Sequence, residues 1–182
     1  MIQHLKFRFP ISFVALTCAI VTPATWAIDS ASFEFATGNR TQISRIGAQW
    51  NPDQQFDLWG KDIRTYYRAE SAYWHAGFYL DQPQLTQHLW DISFTPIFRL
   101  EGNRRYGSYS EFGIGPHLLS SVYDVNGRRE STHFQFGSHL AAGYVWSNDI
   151  DLSLGVQHVS NGGIKHPNMG VNFLAMRIAR KL

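Results

Sequence analysis

Along this chain of 182 residues, apolar and polar positions alternate with a period of two instead of recurring every three or four residues. In the stretch 86–101, Trp90, Ile92, Phe94, Pro96, Phe98 and Leu100 fall on one side of an extended chain and Asp91, Ser93, Thr95 and Arg99 on the other. In 132–147, Phe134, Phe136, Leu140, Ala142, Tyr144 and Trp146 oppose His133, Gln135, Gly137, His139 and Gly143. The pattern predicts eight strands, at about 31–38, 41–51, 62–79, 86–101, 105–118, 132–147, 149–160 and 170–180. Turn-forming clusters separate them: Gly38-Asn39, Asn51-Pro52-Asp53, Asp81-Gln82-Pro83, Gly102-Asn103, Asp124 to Gly127, Ser147-Asn148-Asp149, and Gly162-Gly163 through Gly170.

Which side faces inward decides the fold class. An eight-stranded barrel has an interior only just wide enough for ordinary side chains, so rows of Phe and Trp cannot all share it. Turned outward, they meet lipid, with Trp and Tyr near segment ends forming interfacial girdles and Asp, Glu and Arg pairing inside. An aromatic content of 15% fits that arrangement. The expected fold is therefore all-β, an eight-stranded antiparallel transmembrane β-barrel, in preference to a soluble sandwich or lipocalin-like barrel. An even strand number puts both termini on the periplasmic side, so the seventh strand runs outward and ends at Ser160.

The first residues follow another logic. Lys6 and Arg8 form a basic start, Ile11 to Val21 is apolar, and Pro23-Ala24-Thr25-Trp26-Ala27 ends in the small residue a signal peptidase accepts. This predicts an export signal at 1–27 and a barrel domain at 28–182. The apolar stretch is too short for a spanning helix. Cys18 lies inside the signal, which leaves the exported chain without thiol or disulfide chemistry. Losing Lys6 and Arg8 takes Lys+Arg from 16 to 14, equal to the 14 Asp+Glu, so no basic surplus points to nucleic acid. His75, His88, His117, His133, His139 and His166 lie on different segments with no carboxylate or cysteine at ligand spacing, and no metal or cofactor is expected. Arg68, Glu70, Arg99 and Glu111 are expected to pair inside the barrel, with His133 and His139 as interior polar groups.

The candidate chemistry lies on the last two strands. Leu152, Leu154, Val156, His158 and Ser160 share the lipid face of the seventh, opposite Ser153, Gly155 and Gln157. Asn172, Leu174, Met176 and Ile178 share a face of the eighth, opposite Phe173, Ala175 and Arg177. A turn centred near Lys165 sets His158 opposite Asn172 and Val156 opposite Leu174, with paired Cβ atoms roughly 4.5–5.5 Å apart. Ser160, His158 and Asn172 would then be nucleophile, base and orienting group for acyl transfer. The backbone N–H groups of Asn161, Gly162 and Gly163 would face the developing oxyanion. Spacing alone also fits a polar strand end capped by a Ser-Asn-Gly-Gly turn, in a non-catalytic structural or adhesin-like barrel.

The stretch "QHVSNGGIKHPNMGVNFLAMRI" resembles the PagL family of lipid A 3-O-deacylases, through His158, Ser160 and Asn161, with Asn168 and Gly170 supporting the loop before the last strand. The resemblance implies a barrel of the bacterial outer membrane whose active site faces the bilayer. It further implies an ester hydrolase that removes the 3-O-linked acyl chain from lipid A of lipopolysaccharide by a serine-histidine-acid mechanism. His158 and Ser160 match the catalytic pair, and Asn161 with its following glycines matches the oxyanion region. Asn172 departs from the pattern, standing where the acidic third member is expected. An amide can hold the imidazole tautomer but adds no negative charge. Asp149 and Asp151, the nearest carboxylates in sequence, belong to the opposite end of the strand. A barrel acyltransferase is the remaining alternative; it would add mass to lipid A instead of removing it.

Overall fold

A computed structural model describes residues 27–52, 54–58, 61–101 and 106–182; the export signal expected at 1–27 lies outside them but for Ala27. The alternating segments form β1 (Ser30–Gly38), β2 (Thr41–Trp50), β3 (Gln55–Leu58), β4 (Lys61–Gly77), β5 (Thr86–Glu101), β6 (Gly107–Leu119), β7 (Asp124–Val125), β8 (Arg128–Arg129), β9 (Phe134–Val145), β10 (Ile150–Ser160) and β11 (Val171–Lys181). Neighbours pair antiparallel, β1 also pairs with β11 and β2 with β4, so the sheet closes into a barrel of eight staves. Closure leaves no edge whose N–H and C=O groups would meet hydrocarbon.

Two details depart from the expected layout. The reversal expected at Asn51-Pro52-Asp53 falls later, because β3 continues the direction of β2 and pairs with β4 from Gln55↔Arg64 to Leu58↔Lys61. Pro52 lacks an N–H for the ladder, so it interrupts the stave without turning it. The stretch 120–133 is also more than a turn, since β7 and β8 form a small hairpin through Asp124↔Arg129 and Val125↔Arg128.

The aromatic and aliphatic rows do face outward. Trp90, Ile92, Phe94, Phe112, Leu140, Leu154, Val156, Leu174 and Met176 are all exposed on the wall. Trp146 packs against Tyr144 at one end, and Tyr73 packs against Trp90 towards the other, both with ring centroids about 5 Å apart. Such residues suit the two interfaces of a bilayer.

The interior has two layers. In the lower one, towards the 146–149 turn, Glu111 accepts from Arg68 (3.0 Å) and Arg99 (2.7 Å), and Asp151 accepts from Arg99 (3.2 Å) and Arg177 (2.8 Å). Arg45 pairs with Glu34 and lies 4.0 Å from Glu70, while His117 meets Asp91 at 2.8 Å. The expected pairing of Arg68 and Arg99 with Glu111 is thus present and extends to Asp151 and Arg177, whereas Glu70 lies beside Arg45 in a second group with Glu34. His139 lies 3.5 Å from Glu111, as expected of an interior group, whereas His133 is not interior: it is exposed near the barrel end and bonds the Leu119 carbonyl. The His117 ring fits because Gly137, diagonal to it on β9, has no side chain; a Cβ there would overlap His117 Nε2.

In the upper layer, towards the longer loops, Ile43, Trp74, Leu89, Leu119, Val159 and Phe173 form an apolar plug. Trp74 meets Phe173 and Tyr123 edge-on, at 5.2 and 6.0 Å. Tyr123 and Val125, from the segment bearing the small hairpin, close it from above, and the Tyr123 hydroxyl lies 2.8 Å from Thr41 Oγ1. The cavity left among Glu34, Arg45, Arg68 and Glu111 holds only about 20 Å³, room for about one water molecule. The upper layer closes the barrel, while a cavity of about 260 Å³ opens at the lower end among Tyr66, Arg99, Glu101 and Asp151.

Glu111→Gln should destabilise the barrel by about 3–5 kcal/mol, because it strands the buried guanidinium groups of Arg68 and Arg99. Urea unfolding in detergent micelles, followed by tryptophan fluorescence, measures the difference.

Candidate active site on the outer wall

The pairing of β10 with β11 runs through Val156↔Leu174, Gln157↔Phe173 and His158↔Asn172. Alternation therefore turns Gln157 and Val159 into the interior and leaves His158 and Asn172 exposed on the outside. The imidazole Nδ1 lies 2.7 Å from Asn172 Oδ1. An amide oxygen can only accept, so this contact places the proton on Nδ1 and leaves the lone pair on Nε2, the tautomer a general base needs.

The ring rests on Gly170. A Cβ at that position would lie 2.5 Å from His158 Cε1 and 3.0 Å from Nε2, and the residue has φ of 60°, in the left-handed region. Glycine is required on both counts. Ser160 lies two positions beyond His158 on the same outward side, half-buried, paired across the sheet with Phe136 of β9. Residues two apart on a strand have Cα atoms about 7 Å apart, and Ser160 and His158 form no hydrogen bond with each other in this resting arrangement.

The turn after Ser160 is tied from within. Asn161 is fully buried; its side-chain amide donates to Ser131 Oγ (3.1 Å) and the Lys165 carbonyl (2.8 Å), and its Oδ1 accepts from Gly163 N–H at 2.9 Å. Its backbone N–H is shared between Asn168 Oδ1 at 3.0 Å and Glu130 Oε2 at 3.3 Å. Of the three N–H groups expected to face an oxyanion, those of Asn161 and Gly163 are thus engaged in the turn. The Gly162 N–H and the Asn168 amide nitrogen carry no hydrogen bond among the described residues. Lys165 and His166 are exposed in the same loop.

Glu130 and Ser131 reach this turn from the far side of a long connection, and nothing in the local sequence signals it. Glu130 is buried, and its Oε1 accepts the Gly170 N–H at 2.7 Å. Burial pushes its carboxyl above the ordinary range, opposed by the N–H groups of Gly170, Asn161 and Met169 and by attraction to His158.

Below His158 the wall opens into a groove of about 600 Å³, lined by Ser138, Leu140, Val156, His158, Asn172 and Leu174. It is apolar except at the top, where the imidazole and the amides stand.

A family model described as Lipid A 3-O-deacylase (PagL) matches residues 44–181. The chain belongs to this family, whose members are ester hydrolases of the bacterial outer membrane. Two relatives named lipid A deacylase PagL align with it. The one from Bordetella bronchiseptica is 33% identical over 106 residues, 58% of this chain and 56% of that protein. The one from Pseudomonas aeruginosa is 25% identical over 171 residues, 92% of this chain and 94% of that protein. The chain thus spans little more than half the length of the first and nearly all of the second. A crystal structure of the outer membrane enzyme PagL superposes with a TM-score of 0.71 at 20% identity, over 84% of this chain and 99% of that one; this likeness is one of fold.

Gly170→Ala should push the imidazole off Asn172 and cost about 1–2 kcal/mol in backbone strain. A displacement of that kind lowers an ester-cleaving rate by about 100-fold. Lipid A deacylation should fall accordingly while the barrel keeps its heat-modifiable mobility on SDS gels.

Proposed function

We propose that the chain removes the 3-O-linked acyl chain from lipid A, with Ser160 as nucleophile and His158 as base. The single observation that carries this reading is the His158–Asn172 contact at 2.7 Å on the lipid-facing wall, above an apolar groove. A histidine there is costly unless used, because the surrounding wall is apolar and meets lipid. The longer loops mark the extracellular end of the barrel. The site therefore meets the outer leaflet, where lipid A resides.

The steps follow from the residues. The acyl chain lies in the groove along Leu140, Val156 and Leu174, with its ester at the His158 end, on the side of Ser160. Ser160 rotates towards His158 Nε2, gives up its proton and attacks the ester carbonyl. The negative oxygen is met by the Gly162 N–H and the Asn168 amide, two donors without a hydrogen bond among the described residues, in a turn that Asn161 and Gly170 support. His158 then returns the proton to the leaving sugar hydroxyl. Water, activated by the same imidazole, releases the fatty acid from Ser160. Asn172 holds the imidazole by hydrogen bonding alone. Lys165 and His166 stand where they can meet the anionic phosphates of lipid A.

Ser160→Ala should fold normally yet lower fatty-acid release from purified lipid A by about 1,000-fold or more. Mass spectrometry of lipid A from cells with and without the protein should show loss of one hydroxyacyl chain. An unchanged mass would point to a non-catalytic barrel, and an added chain to an acyltransferase. Asn172→Glu should keep or raise the rate, since it adds charge beside Nδ1; a collapse of activity would move the third group elsewhere.

A further inference from the structure

We propose that Glu130, on the connection between β8 and β9, is the positioning residue that sets His158 and supplies the negative charge Asn172 lacks. The inference rests on the reading of Ser160 and His158 as the hydrolytic pair. Its basis is a clasp of two hydrogen bonds. One carboxylate oxygen holds the Gly170 N–H at 2.7 Å and the other the Asn161 N–H at 3.3 Å. Gly170 carries the face on which the imidazole rests, and Asn161 follows Ser160 directly. A single side chain therefore links the end of β10 to the start of β11 at the level of the site.

The clasp is reinforced along the same segment. The Met169 N–H donates to the Arg129 carbonyl at 3.2 Å, Arg128 donates to the Met169 carbonyl at 3.1 Å, and Ser131 Oγ donates to the Lys165 carbonyl at 2.8 Å. The Glu130 N–H is itself held by the Tyr123 carbonyl at 2.9 Å, which ties the clasp to the apolar plug. Other charged groups nearby are committed or turned to solvent. Arg129 pairs with Asp81 and Asp124, both at 3.0 Å, and Lys165 and His166 are exposed. Asp149 and Asp151 stand at the other end of β10, where Asp151 is bound to Arg99 and Arg177. From β9, His158 faces the neutral Ser138 and, from β11, the neutral Asn172. Glu130 is thus the carboxylate that can favour the imidazolium formed when Ser160 is deprotonated. It acts through backbone dipoles and space, not by touching the ring.

The test uses full-length protein in detergent with purified lipid A. Glu130→Gln keeps the shape, removes the charge and turns one N–H acceptor into a donor. It should lower kcat by about 10-fold or more with KM within about 2-fold, and move the acid limb of kcat/KM to lower pH. Adding Asn172→Glu restores a carboxylate at His158 and should recover most of the lost kcat; a purely structural clasp would not be rescued in this way. A kcat within about 2-fold of the wild type, or a fall with neither rescue nor movement of the acid limb, overturns the proposal. If the wild type or Ser160→Ala shows that the hydrolytic reading itself is wrong, the ring signal of His158 in an NMR pH titration still decides. Loss of the carboxylate should lower its midpoint, and an unmoved midpoint rejects the role. Should Glu130→Gln not fold, Glu130→Asp takes its place. It keeps the charge but is one methylene too short to meet both N–H groups, so kcat should fall by about 3-fold or more with the midpoint unmoved; no change in kcat rejects the clasp.

Discussion

A strand in hydrocarbon can leave no backbone N–H or C=O without a partner, and every other feature of this protein descends from that constraint. It forces the sheet to close, through the pairing of β1 with β11 and of β2 with β4. Closure fixes inside and outside for each residue, since side chains alternate and a slip by one would exchange the two faces along a whole stave. The interior is then narrow enough for side chains to fill most of it. Salt-bridged arginines and carboxylates fill its lower part, and Trp74, Phe173 and their neighbours fill the upper part. Each of these interior ion pairs is desolvated, so its net contribution to stability is small although losing one partner is costly.

The outward register of β10 and β11 was legible because three independent cues agree. The Leu152, Leu154, Val156 row and the Leu174, Met176, Ile178 row each mark a lipid face, and the Gly162 to Gly170 loop sets the distance between them. Together they predict His158 opposite Asn172, the pairing the barrel contains. The family resemblance rests on the same few residues. Other parts were not legible, for physical reasons. Asn51-Pro52 carries the chemistry of a turn, yet the neighbouring stave holds the chain straight through it into β3. Trp74 has the composition of a lipid-facing residue and sits in the interior, where Phe173 and Tyr123 surround it. Glu130 reads as one more loop carboxylate; its partners lie 31 and 40 residues away and depend on how two loops meet.

The site itself joins rigid and adaptable parts. His158 and Asn172 stand on paired staves, the most constrained setting the fold offers. Ser160 ends its stave, and the turn that follows is held by side-chain amides and by a clasp from another loop. That division gives the proposed base a fixed setting and leaves the proposed nucleophile and oxyanion donors some freedom.

Because the proposed site projects from the wall, it needs neither a tunnel nor a lid to admit a lipid with several chains. Encounter takes place in two dimensions, by lateral drift of neighbouring molecules along the leaflet. The effective substrate concentration is a surface mole fraction, not a volume molarity. On the proposed reading, diluting lipid A with inert amphiphile slows such a catalyst even when the total amount in the tube is unchanged.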